Sequence, residues 1–187
     1  MNRRIFLTLS AGAAAFALTA KRPAVADLEP DRLYRLYRRH HLMIVGQRDD
    51  AKAGAFAGAV IDVLAHALPA ARAQLARAAD NRRVGVLIAT QQQDVAIMSS
   101  ESADALFLAK APFDDLRDVP LRVLVSFGSH FLVCRPDFTA RDAYLLAQAL
   151  AEHRDLLPAP AGVPDGIVPA HRGAQALFAG EAIPDWS

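Results

Sequence analysis

Six residues with small or polar side chains lie at or just beyond the ends of apolar runs and have the chemistry to hold an anion. These residues are Gly46, Gln47, Arg48, Ser99, Ser100 and Ser129. If the runs are parallel strands, their carboxyl ends meet at one edge of a sheet, where ligands of α/β proteins collect. Exposed amides at the starts of the following helices also favour a negative charge. The pattern predicts a site for a small organic acid or amino acid, with Arg48 as its main contact.

Two groups of residues are candidates for catalysis: Ser129 beside His130, and Glu101 beside Ser99 and Ser100. A serine nucleophile needs a base and an orienting third group that meet it in space. The sequence shows no nucleophile-elbow motif, no paired-carboxylate signature and no metal-ligand spacing. Ser129 and His130 are more simply a turn between two strands. We therefore expect a protein that is not an enzyme and that uses no cofactor or metal.

Four residues near the end of the chain surround a short apolar segment: Pro169, His171, Gly173 and Glu181. They either close the fold by docking a last helix, or place His171 and Arg172 on an anionic ligand or a metal. One histidine without spaced partners is weak evidence for a metal, since metal sites use three or four ligands. We expect the structural role.

Residues 1–26 have the pattern of an export signal. Arg3 and Arg4 precede an apolar run over 5–20, and residues 24–26 read Ala-Val-Ala, an A-x-A cleavage site. The run is too short and too rich in alanine for a confident bilayer anchor. The two arginines favour twin-arginine export over an ordinary secretory signal or an uncleaved anchor. We expect a periplasmic protein without a membrane span after cleavage.

Cleavage would leave residues 27–187, which are enough for one domain. Their 17 basic and 20 acidic residues give a formal net charge of −3, against +1 for the whole chain. The basic clusters at 35–39 and 82–83 are interpreted as solvated helix faces. Nucleic-acid binding needs clustered positive charge on the folded domain, so we expect none. Cys134 is the only cysteine and lies in an apolar run, which predicts a packed, inert thiol.

Periodicity predicts the elements that would position these residues. Helices are expected over 31–39, 53–68, 70–79, 101–111 and 139–157, and strands over 41–45, 94–99, 121–127 and 130–136. Segment 80–93 fits either type, and the proline-rich segment 156–169 predicts an irregular connection. Strands that alternate with helices predict an α/β domain with a largely parallel sheet covered on both faces.

Several segments resemble the TAXI family, the extracytoplasmic solute-binding subunits of TRAP transporters. They read LMIVGQ…AGAFAGAVIDVLAHAL, VGVLIATQQQDVAIMSSESADALF, FLVCRPDFTARDAYLLAQALAEHRDLL and VPAHRGAQALFAGE. The last is similar to the family's closing motif, P-x-H-x-G-A before a final helix. The resemblance implies a periplasmic binding-protein fold, in which three layers are arranged as helices, sheet and helices (αβα), and a role in solute transport.

The resemblance also implies that one lobe is missing. In the family a second lobe is inserted after a strand that corresponds to residues 121–126, whereas here LRVLVSFGSHFLVCRP runs straight through. With a single wall, each polar contact nets only about 0.5–1.5 kcal/mol against solvent. We therefore expect a protein partner or a homo-oligomer to complete the site. The alternative is a non-catalytic accessory protein that docks onto a secreted redox enzyme or transporter complex.

Overall fold

A computed structural model describes residues 41–116 and 119–185. The predicted export signal and the helix predicted over 31–39 lie outside the described residues. Among the residues that are described, no helix combines the length and the apolar character needed to cross a membrane.

The chain alternates strands and helices, and it ends in a strand hairpin followed by two helices. The strands are β1 (Met43–Gln47), β2 (Gln74–Ala78), β3 (Val95–Ser99), β4 (Arg122–Ser126) and β5 (His130–Cys134). The helices are α1 (Ala51–Ala67), α2 (Asn81–Ala89), α3 (Ser100–Phe107), α4 (Ala140–Glu152) and α5 (Arg172–Phe178). Short 3-10 turns occupy Pro69–Ala71 and Arg154–Leu156.

The five strands form one mixed sheet in the order β2-β1-β3-β5-β4. Strand β1 pairs in parallel with β2 and β3, whereas β5 is antiparallel to β3 and β4. The sheet is thus less parallel than predicted, because only residues 127–129 join β4 to β5, and so short a connection permits only an antiparallel pair. Gly128 makes this turn with a φ of 77°, a conformation that favours glycine.

The helix predicted over 70–79 is wrong. Pro69 begins a 3-10 turn, the chain then passes through Arg72 with a φ of 46°, and Gln74–Ala78 pairs with β1 as an edge strand. Alanine is the best helix former, but its advantage over ordinary residues other than glycine and proline is at most about 0.7 kcal/mol each. Pairing along the whole of β1 overrides that preference.

The ambiguous segment 80–93 contains helix α2. Asp80 begins this helix, because its carboxylate accepts a hydrogen bond of 2.7 Å from the Arg83 N–H. The predicted helices over 53–68, 101–111 and 139–157 are confirmed as α1, α3 and α4, but α3 ends at Phe107 and α4 at Glu152, short of the predicted ends at 111 and 157.

Helices pack on both faces of the sheet, which confirms the α/β class. Alternate side chains of β3 enter two separate cores, with Val95 and Ile97 on one face and Ala96 and Met98 on the other. Helices α1, α4 and α5 cover the first face, and α2 and α3 cover the second. Cys134 is fully buried in the first core, where burial raises the pKa of its thiol, so it stays protonated and unreactive.

The last helix packs closely on α4 at Gly173. A Cβ atom at this position would lie 2.0 Å from the Ala140 carbonyl oxygen and 2.9 Å from the Ala143 Cβ. The helix backbones approach each other too closely there for any other residue type.

We expect Gly173→Ala to lower the free energy of unfolding by about 1–3 kcal/mol, because the added methyl group forces the two helices apart. Gly58→Ala in α1 is the matched control, since nothing lies within 4 Å of its added Cβ. The control should raise stability by about 0.5–1 kcal/mol through helix propensity alone. Urea unfolding of the purified protein measures both values, and equal stabilities for the two variants would contradict the packing argument.

Candidate functional site

Three of the predicted anion-binding residues line a cleft at the carboxyl end of β1. Gly46 and Gln47 end the strand, and Arg48 follows it. Arg77 of the neighbouring strand β2, the register partner of Gly46, lines the same cleft. We call this the basic cleft; its volume is about 260 Å³. Both arginines are exposed, and neither side chain forms an ion pair or hydrogen bond with another described residue.

The three predicted serines form a second group at the same edge of the sheet. Ser99 caps α3, since its hydroxyl oxygen accepts a 3.2 Å hydrogen bond from the Ser102 N–H. The Ser100 N–H donates a 3.0 Å hydrogen bond to the Ser129 carbonyl oxygen in the β4–β5 turn. The six residues therefore share one edge, but the serines are not among the residues that line the basic cleft.

Asp50 links the two groups. It lines the basic cleft and caps α1, because its Oδ1 accepts hydrogen bonds of 2.9 Å from the Lys52 and Ala53 N–H groups. Its Oδ2 lies 3.0 Å from Nε2 of His130. Burial alone would raise the pKa of the Asp50 carboxyl group, but the hydrogen bonds from Ala53 and His130 outweigh it and lower the pKa below its ordinary value. Asp50 is therefore a carboxylate at neutral pH.

His130 continues this connection to the turn. Its ring is buried against Phe56, with 5.3 Å between the ring centroids. While its Nε2 faces Asp50, its Nδ1 lies 3.0 Å from the hydroxyl oxygen of Ser129, whose residue is exposed. We call this hydrogen-bonded series of Asp50, His130 and Ser129 the relay.

Two residues of this edge are absent from the set that the sequence predicts. Arg77 falls in the segment wrongly predicted to be helical, so its place beside Gly46 could not be inferred. Asp50 follows β1 and precedes an apolar helix, which is a signal for a helix cap. In the structure, this capping position brings the Asp50 carboxylate to the edge of the sheet where the β4–β5 turn lies. Asp50 supplies the third group that the pair of Ser129 and His130 lacks in the sequence.

The helix amides that we expected to face an anion are partly occupied by the chain itself. Asp50 takes the first amides of α1, Ser99 takes one amide of α3, and the Ser129 carbonyl takes another. Side-chain charge, and chiefly that of Arg48 and Arg77, is therefore what remains to attract an anion at this edge.

The residues near the end of the chain lie against the outer strand of the sheet. The Val123 N–H donates to the Pro169 carbonyl oxygen at 3.0 Å, and the His171 N–H donates to the Val123 carbonyl oxygen at 2.8 Å. Glu181 ends the segment, where its carbonyl oxygen accepts a 3.1 Å hydrogen bond from the Tyr144 hydroxyl group. These contacts hold α5 against the sheet, far along the chain from the basic cleft.

His171 is a buried, neutral helix cap. Its Nε2 donates to the Phe138 carbonyl oxygen at 2.9 Å, and its Nδ1 accepts from the Gly173 N–H at 3.2 Å. A second proton on Nδ1 would face that N–H group. Burial lowers the pKa of His171, and the nearby charges of Arg172 and Arg122 lower it further, against the hydrogen bond to Phe138.

Within residues 41–116 and 119–185, no group of three or more His, Cys, Asp or Glu side chains is placed to hold a metal ion. The fold and the site together define an α/β domain with a polar edge at its strand ends, where two arginines line a cleft. Comparison of the chain with protein-family profiles, curated proteins and solved structures yields no match.

The lowered pKa of His171 gives a pH dependence of stability with a definite sign. The unfolded chain binds a proton near the ordinary histidine pKa of about 6.5, whereas the folded chain resists protonation. The contribution of His171 is therefore complete above that pH and is lost as the pH falls through the lower, folded-state pKa.

We expect the free energy of unfolding to decrease from pH 7.5 to pH 5, and His171→Gln to weaken this decrease, because glutamine does not titrate. Urea unfolding at each pH measures the free energy of unfolding of the original protein and of the variant. His66→Gln is the control, because His66 is exposed on α1. If His171→Gln kept the full pH dependence of the original protein, the assignment to His171 would be wrong.

Proposed function

We propose that residues 27–187 act in the periplasm as a single-lobed solute-binding module of the TAXI type that holds a small organic anion in the basic cleft. The observation that carries this proposal is that Arg48 and Arg77 line the same cleft at the carboxyl end of the sheet. Each contributes an exposed guanidinium group to one cleft without an ion pair among the described residues. Guanidinium groups bind carboxylates through paired, charge-assisted hydrogen bonds.

The one negative group in the basic cleft does not cancel this charge. Asp50 already accepts hydrogen bonds at both oxygens, from the first amides of α1 and from His130. An anion in the cleft would therefore meet the guanidinium groups of Arg48 and Arg77, which form no ion pair among the described residues. The only carboxylate beside it, that of Asp50, already has hydrogen-bond donors at both oxygens. The binding role requires no chemical step at the cleft.

The β4–β5 turn supports the single-lobed interpretation. The resemblance to the TAXI family places the inserted second lobe after the strand at residues 121–126, and here residues 127–129 close the chain directly into β5. This turn lies at the same edge of the sheet as the basic cleft. A second lobe that emerged there would cover the cleft, whereas the three-residue turn leaves the cleft open among the described residues.

An open cleft predicts weak binding by the isolated chain. Small-molecule sites bury most of the ligand surface between walls, and micromolar affinity corresponds to about 8 kcal/mol. A few solvent-exposed polar contacts, at about 0.5–1.5 kcal/mol each, do not reach that value. We therefore propose that a second copy of the chain or another exported protein supplies the missing wall.

We expect Arg48→Ala and Arg77→Ala each to raise the dissociation constant for succinate or glutamate about 10-fold, because each removes a charged hydrogen-bond donor that contributes about 1.4 kcal/mol in a solvent-exposed cleft. NMR titration at millimolar ligand concentration measures this effect. Arg154→Ala is the control, since Arg154 is an exposed arginine that is not among the residues of the cleft. Absence of binding by the original protein, or an equal loss in the control, would count against an anion site in this cleft.

A second candidate is the accessory role, in which the chain docks onto a secreted redox enzyme or a transporter complex. The observation that favours it is a separate apolar cleft of about 310 Å³, near the start of β1 and the start of α4. Its lining residues include Leu42, Leu68, Phe138 and Leu145. Apolar surface that the described residues leave unfilled is typical of interaction sites.

A photo-crosslinking amino acid separates the two candidates when it replaces Leu145 in one variant and Arg48 in another. The accessory role predicts a specific crosslinked protein from position 145 only, because the partner would cover the apolar cleft. A crosslink from position 48 only would favour a second wall over the basic cleft. Mass spectrometry of products formed in living cells identifies the partner, and no product from position 145 would contradict the accessory role.

A further inference from the structure

The relay joins three polar side chains that have no role in the proposed binding of an anion by Arg48 and Arg77. His130 is buried, with 5% of its side chain exposed, while Asp50 is 25% exposed. Each end of the His130 ring has a partner at 3.0 Å, the Asp50 carboxylate on Nε2 and the Ser129 hydroxyl group on Nδ1. The contact between His130 and Asp50 is enough to hold the turn against the loop after β1. The contact between His130 and Ser129 is not needed for that structural role.

Asp50 determines which nitrogen of His130 carries the proton. A carboxylate only accepts hydrogen bonds, so Nε2 must donate and therefore holds the proton. In the neutral ring, Nδ1 is then an acceptor, and the partner hydrogen must come from the Ser129 hydroxyl group. A serine that donates its proton to a buried imidazole held by a carboxylate has the arrangement that activates a nucleophile.

Ser129 is also accessible and lies beside the start of a helix. The residue is exposed in the turn between β4 and β5. Its carbonyl oxygen accepts a hydrogen bond of 3.0 Å from the Ser100 N–H, the first residue of α3. That amide is already engaged, so α3 offers negative charge that develops near Ser129 only the partial positive charge of its dipole.

We propose that Ser129 is a nucleophile that accepts an acyl group from a carboxylic ester, with His130 as its general base and Asp50 as a positioning residue. The Ser129 oxygen bonds to the ester carbonyl carbon as its proton moves to Nδ1 of His130. The bond to the alcohol oxygen then breaks, and His130 returns the proton to that alcohol. Water repeats the sequence on the acyl-serine and releases the carboxylic acid, so the net reaction is ester hydrolysis.

The relay has consequences that are separate from the anion site. The chemistry uses Ser129 and His130, which are not among the residues that line the basic cleft, and it does not rest on binding of a solute by Arg48 or Arg77. Labelling of Ser129 would therefore stand even if succinate and glutamate failed to bind. Only Asp50 belongs to both places.

The test is reaction of the full chain with a fluorophosphonate, which attaches to an activated serine oxygen and releases fluoride. Intact-mass measurement and peptide mapping should find one adduct, located on Ser129. Ser129→Ala should abolish the adduct, and Thr90→Ala, which removes an exposed hydroxyl group at the end of α2, should keep it as the control. A protein without an adduct, or an adduct that persists in Ser129→Ala, would overturn the proposal.

Asp50→Asn tests the positioning role while the cap of α1 is kept. The asparagine oxygen can still accept from the Lys52 and Ala53 amides, but its NH₂ group would donate to Nε2 of His130. The ring proton would then move to Nδ1, and Ser129 would lose its acceptor. We expect the labelling rate to fall about 100-fold or more, the typical contribution of a general base, with little change in melting temperature. An unchanged labelling rate in a folded Asp50→Asn protein would refute the relay.

Discussion

The Asp50 carboxylate is the contact on which the working edge of this domain depends. It closes the first turn of α1 through two backbone amides and holds His130 of β5 through its other oxygen. One ionised side chain thus joins the loop after β1 to the turn between β4 and β5, although these segments are 80 residues apart in the chain. Because both oxygens have partners, the charge is accommodated at partial burial, where an unpaired carboxylate would be costly.

This use of Asp50 separates two kinds of chemistry at the carboxyl edge. On one side, the carboxylate accepts its hydrogen bonds from α1 and His130 and forms no ion pair with Arg48 or Arg77. The two guanidinium groups can therefore bind an external anion. On the other side, the same carboxylate fixes the proton of His130 and directs the Ser129 hydroxyl group. The proposals for binding and for acyl transfer therefore draw on one constraint, yet each depends on different atoms of the edge.

The sequence is sufficient to predict those parts of the fold that rest on local patterns. The helices at 53–68 and 139–157 have clear apolar faces, and Thr139 caps the second one as its type and place suggest. The prediction for segment 70–79 is wrong because its strand forms only by pairing with β1, and no local sequence pattern encodes that pairing. The site follows the same division. Gly46, Gln47 and Arg48 follow a recognisable strand, whereas Arg77 needs the pairing register and the relay needs a contact between distant segments.

The two edges of the sheet indicate where a second wall would meet this domain. The outer side of β4 is already occupied, because Val123 pairs with Ala170 and Ser126 pairs with Gly162 of the proline-rich connection. In the part of the chain that the structure describes, no strand pairs with the outer side of β2. Strand β2 carries Arg77, so a chain that covered the basic cleft would also reach this edge. An edge that the described strands leave unpaired invites strand addition, and strand addition here would place a partner's side chains over Arg77.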